Sequence, residues 1–166
     1  SGAGVILNPG DMVHAGIWVD QTTPNVDYIW FWGDDGTTST CPSKSSTYRS
    51  TVPGWVQTTS GSDQGLPFNY DIVIETCTEQ PPPVCFTQNP SCSDIATNLS
   101  IFGMPRTNRN AFANRFYAGQ AGQDQACTVK VVYPWFYENN PADTADIELK
   151  IYEDDGAGLP GAVVYQ

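Results

Sequence analysis

Asp146-Ile147-Glu148-Leu149-Lys150-Ile151-Tyr152 alternates apolar and polar side chains position by position. Successive side chains of an extended strand point to opposite faces, so this period of two predicts a strand with Ile147, Leu149 and Ile151 inside and the charged residues outside. Immediately downstream, Asp154-Asp155-Gly156 reads as a tight turn, and Ala162-Val163-Val164-Tyr165 as another strand. Upstream lie further β-rich runs at 127–137, 112–117 and 96–102. Within Arg109 to Tyr117, Phe112, Ala113 and Phe116 have helical spacing, but the stretch is short and Gly119 comes soon after it. A turn or irregular strand is the expectation there.

The first half behaves alike. Val5-Ile6-Leu7 ends at the turn cluster Asn8-Pro9-Gly10-Asp11, and Met12 to Asp20 comes next as a strand. Asp27 to Trp32 is rich in aromatic and β-branched residues and runs into Gly33-Asp34-Asp35-Gly36. Shorter strands are expected at 46–50 and 54–58, and Tyr70 to Thr76 carries Ile72 and Ile74 on one face. Roughly ten short strands spaced by turns predict an all-β, antiparallel β-sandwich of jelly-roll type.

Glu79-Gln80-Pro81-Pro82-Pro83 breaks the pattern, because three prolines do not fit a central strand. The expected organisation is a β-rich half at 1–78, a Pro-rich linker at 79–84 and a second β-rich half at 85–166. The first reads as the back part of a sandwich and the second as its front part. Strand-like sequence stands at both ends. Either these end strands pair inside one domain, or they complete sheets with neighbouring copies, as in a fibre or tandem array. In the second case Val5, Ile6, Leu7, Val163, Val164 and Tyr165 are the candidate inter-unit contacts.

Composition limits the partners. Seven basic residues face eighteen acidic ones among 166, for a formal net charge of -11. That field repels polyanions, so nucleic acid and anionic membrane are poor partners, and no stretch has the length of an apolar span. Five cysteines and a single histidine argue for disulfides over a zinc site, and hence for an oxidising, extracellular compartment. Cys41 with Cys77 and Cys85 with Cys92 is the expected pairing among the possible ones. Cys127 is left over, either free and buried or bonded to another chain. Asn98-Leu99-Ser100 matches a glycosylation sequon.

From Val129 to Tyr165 the chain resembles β-sandwich repeat modules of large secreted surface proteins of Bacteroidota, the adhesins of type IX secretion. The residues that carry the resemblance are 145–156, then Gly158-Leu159-Pro160-Gly161 and Ala162-Val163-Val164-Tyr165. Pro9-Gly10-Asp11, Gly16-Ile17-Trp18-Val19, Tyr48-Arg49-Ser50, Gly54-Trp55 and 66–72 resemble the stretch on the C-terminal side of that segment in those proteins. The chain is then permuted relative to the usual order. The resemblance implies a noncatalytic extracellular module and no catalytic residues.

Three chemistries have candidate residues. Asp34-Asp35 and Asp154-Asp155 place paired carboxylates in turns, the kind of oxygen donor calcium takes, although solvated turns need the same residues. No other cofactor is indicated. Trp18, Trp32 and Trp55 offer flat faces for glycan stacking, against the alternative of core and interface packing. His14 is the only histidine and has no nucleophile motif beside it, so a packed strand residue is expected rather than a catalytic base. A non-enzymatic structural module is the leading expectation, and a carbohydrate-binding module the alternative.

Overall fold

The computed structural model describes residues 4–20, 29–34, 45–49, 53–57, 72–78, 85–88, 99–104, 109–118, 126–134, 136–137 and 146–166. In chain order the strands of the first half are β1 (Ile6–Leu7), β2 (Met12–Asp20), β3 (Ile29–Asp34), β4 (Ser45–Arg49), β5 (Gly54–Gln57) and β6 (Ile72–Cys77). Those of the second half are β7 (Cys85–Gln88), β8 (Leu99–Met104), β9 (Arg109–Tyr117), β10 (Cys127–Pro134), β11 (Phe136–Tyr137), β12 (Asp146–Asp154) and β13 (Pro160–Tyr165). The fold is all-β and its ladders are antiparallel.

Three sheets form, ordered β1-β10-β6-β7, β11-β3-β8 and β13-β12-β2-β9-β4-β5. Each one takes strands from both sides of residues 79–84, so 1–78 and 85–166 are interleaved rather than stacked as separate units. Segment 79–84 itself lies outside the described residues.

The four-stranded and six-stranded sheets share one apolar core. Leu7, Ile72, Ile74, Cys127 and Val129 come from the smaller sheet, and Val13, Ala15, Ile17, Val19, Phe112, Phe116 and Ile151 from the larger. Burial of that apolar surface is the main force holding the two layers together.

Residues 109–117 form a nine-residue strand, β9, at the centre of the larger sheet. The helical spacing of the aromatics there misleads because both faces of β9 are covered. Phe112 and Phe116 point to the core, while Ala111 and Ala113 are buried on the other face, so no polar alternation marks the strand.

The alternation in β12 also holds only in part. Ile151 enters the core, but Ile147 is 44% exposed, and Tyr152 is buried on the opposite face. That opposite face is covered too. Across it the register aligns Trp18 with Ala111, Ala111 with Tyr48, and Tyr48 with Trp55. The rings touch: Trp18 lies 5.0 Å from Tyr48, Tyr48 5.5 Å from Trp55, and Trp55 5.3 Å from Tyr152. Trp55 belongs to the edge strand β5, four strands from β12, so the sheet curls until its edge reaches back over its own face. Small residues make that layer possible. Gly16 stands beside Ala113, and a Cβ on it would lie 2.8 Å from both the Ala113 Cβ and the Phe112 carbonyl oxygen.

Candidate functional site

The two ends of the described chain meet at a groove. Strand β1 is one outer strand of the four-stranded sheet and β13 one outer strand of the six-stranded sheet. Two recesses run between them and share Val5. One, of about 440 Å³, is lined by Ile6, Leu7, Asp11, Met12, Glu153 and Val164 among others. The other, of about 170 Å³, is lined by Gly4, Val129, Lys130, Val131, Ile151 and Tyr165. The sequence forms these edges for simple reasons. Asn8-Pro9-Gly10-Asp11 stops β1 in a turn closed by the Asp11 amide donating to the Asn8 carbonyl, with Gly10 at φ 94°. The turn at 154–159 reverses β12 into β13.

The six expected contact residues divide by exposure. Ile6 is 65% exposed, Val163 47%, Val164 45% and Tyr165 41%. Leu7, by contrast, is buried in the core and Val5 packs against it. These two hold β1 in place and offer little surface. The outward side therefore presents Ile6, Val163, Val164 and Tyr165, joined by exposed Val131. Lys130, Val131 and Glu153 carry no signal in the sequence that marks them. Only the placing of β10 and β12 beside the two edges brings them to the groove.

His14 is fully buried, and its Nε2 lies 2.9 Å from Asp154 Oδ2. Burial lowers its pKa below the usual histidine value, outweighing the hydrogen bond and charge of Asp154, which raise it; Arg115 lowers it further. For Asp154, burial acts upward, but hydrogen bonds from His14 and from the Gly156 and Gly158 amides bring the net shift below the usual carboxylate value. The pair is thus a neutral imidazole donating from Nε2 to a carboxylate. The His14 Nδ1 has no hydrogen-bond partner, nor do the buried Ser46 and Tyr152 hydroxyls.

The Asp154-Asp155-Gly156 turn is a clasp. Asp154 Oδ1 accepts from the Gly156 amide at 2.8 Å, and Asp155 Oδ1 from the Ala157 and Leu159 amides at 2.8 and 3.0 Å. Gly156 and Gly158 adopt φ of 86° and 88°, which side-chain-bearing residues rarely do. The Arg115 guanidinium lies where a Gly158 side chain would project. Of the calcium candidates, then, Asp154 and Asp155 have their carboxylates committed to the turn and to His14. Among the described residues no group of three His, Cys, Asp or Glu is placed to hold a metal. The side chain of Asp34 and all of Asp35 lie outside the described residues.

Of the glycan candidates, Trp18 and Trp55 are half-buried members of the aromatic layer, and the side chain of Trp32 lies outside the described ones. Trp18 carries the Lys150 ammonium 5.0 Å above its ring, and Lys150 is held by Glu148 at 2.6 Å. Trp55 meets both of its ring neighbours edge-on. These two rings pack tilted or edge-on against their aromatic neighbours.

Cys127 is free and buried, and burial raises its thiol pKa, which makes it a poor nucleophile. Cys77 is disulfide-bonded, and the register of β6 against β7 sets it directly across from Cys85. Cys41, Cys92 and the Asn98 sequon lie outside the described residues. No helix among the described residues is long and apolar enough to cross a membrane. Compared with known proteins, the chain matches no family model, no curated protein and no solved structure.

Proposed function

We propose that this chain is a noncatalytic extracellular structural module, a repeat or subunit of a surface fibre or adhesin that associates through β-strand contacts between copies. One observation carries the reading: two uncharged, apolar strand edges lie on either side of a single groove. Folded proteins usually protect such edges with charges, prolines or covering loops, because a row of unpaired backbone groups invites another strand. Neither β1 nor residues 161–165 of β13 contain a charged residue.

The rest of the surface argues the same way. With a net charge of -11, copies repel one another over most approaches. An apolar edge patch is where that repulsion is weakest and where apolar burial and backbone pairing act together. The Cys77 disulfide suits an oxidising compartment. The expected partner of Cys77 remains Cys41, which lies outside the described residues. Peptide mapping without reductant tests that bond.

Sedimentation velocity tests the function. The parent chain is expected to associate as its concentration rises, while a variant with both Val163→Lys and Val164→Lys stays a monomer with an unchanged circular dichroism spectrum. Equal association of parent and variant would remove β13 from the interface.

A further inference from the structure

We infer that the groove is a two-fold interface between two copies of this chain, in which the Lys130 end of each groove seats on the acidic end of the other. The inference rests on the strand-contact reading above and adds its symmetry and its polar contacts. Both open edges lie on the same side of the molecule, because β1 and β13 flank one groove. A head-to-tail array joining β1 of one copy to β13 of the next needs these edges on opposite sides, so that each copy shows one to either neighbour. With both on one side, a copy that docks on β13 also covers β1. Such a contact is self-complementary and closes at two.

The charges along the groove choose the orientation. Lys130 lines one end, with Val131 and Tyr165. Asp11 and Glu153 line the other, and both are exposed. Asp154, also at that end, is turned to His14. Val5 lies where the two recesses join. A two-fold axis across the middle reverses one copy end for end, which brings each Lys130 to the Glu153 and Asp11 of the other copy. A second copy laid in the same direction would set acid on acid. In a chain with seven basic residues against eighteen acidic ones, one lysine placed opposite acids is a selective feature of this face. Exposed Ile6 and Val164 in the acidic recess and Tyr165 in the other supply the apolar contacts. Any longer array is then built from such dimers, at higher concentration, through other outer strands such as β5 or β7.

Sedimentation equilibrium at low salt on four proteins tests this: the parent, Lys130→Glu, Glu153→Lys, and the double reversal. The two-fold makes each ion pair count twice, and exposed pairs contribute modestly, so each single reversal is expected to weaken association about tenfold. The double reversal is expected to restore it to within about threefold of the parent, because opposite charges face each other again. The parent mass should level off at two chains. A mass that climbs past two chains with no plateau there overturns the two-fold and leaves the strand-contact reading standing. Single reversals without effect, or a double reversal that fails to restore association, also overturn it. A parent that stays monomeric at every concentration overturns both.

Discussion

Replacing Phe112 with alanine is expected to lower the free energy of unfolding by about 3–5 kcal/mol. Phe112 is fully buried at the middle of β9, the strand between β2 and β4. It lies in the cluster that joins the two main sheets, together with Ile17, Ile72 and Ile74. Neighbours fixed in strands on both layers cannot collapse far into the space it leaves, so the cavity cost adds to the lost burial. Urea unfolding followed by circular dichroism gives the number, and one transition should describe parent and variant alike. A loss below about 1 kcal/mol, small for a buried aromatic, would show that the sheets do not share this core.

His14→Ala is expected to cost about 3 kcal/mol at pH 7 and to change the acid dependence of stability. The alanine removes a buried ring and leaves the Asp154 carboxylate, 8% exposed, without its imidazole donor. The sign of the pH effect comes from the two lowered pKa values. A histidine harder to protonate folded than unfolded contributes stability that is complete above its unfolded value, about 6.5, and is lost as pH falls from there through the folded value. Asp154 contributes in the same direction at lower pH, from about 3.8 downward. The parent should therefore weaken with acid first below pH 6.5. In His14→Ala that first decline disappears. His14→Gln offers an amide donor to Asp154 without the titration, so it should recover part of the stability and remain flat between pH 7 and 5. A parent whose stability rises as pH falls through 6.5 would mean that His14 is charged in the fold.

The strands were legible where local chemistry and tertiary burial agreed. Met12 to Asp20 appears with the bounds expected of it, because a turn cluster stops the chain before it and core residues alternate along it. Legibility failed where both faces were buried. β9 reads as ambiguous because Ala111 and Ala113 sit under an aromatic layer instead of facing water. β7, only Cys85–Gln88, has no alternation to reveal it beside three prolines, and it exists as a partner of β6. The acidic turn at 154–156 was visible, but its purpose was not, since His14 lies 140 residues away in sequence. The end strands show the same limit in another form. Their apolar, uncharged character stood in the sequence, whereas their meeting at one groove depends on the long-range pairing of β1 with β10 and of β12 with β2.

Amide hydrogen exchange, compared between dilute and concentrated protein, tests the central claim most directly. If the two open edges are the association surface, concentration should slow exchange in residues 161–165 and in Val5 to Leu7, and leave the centrally paired β2 and β9 unchanged. Exchange in those two edges that is identical at both concentrations, in a sample that has associated, would place the interface elsewhere and contradict the account.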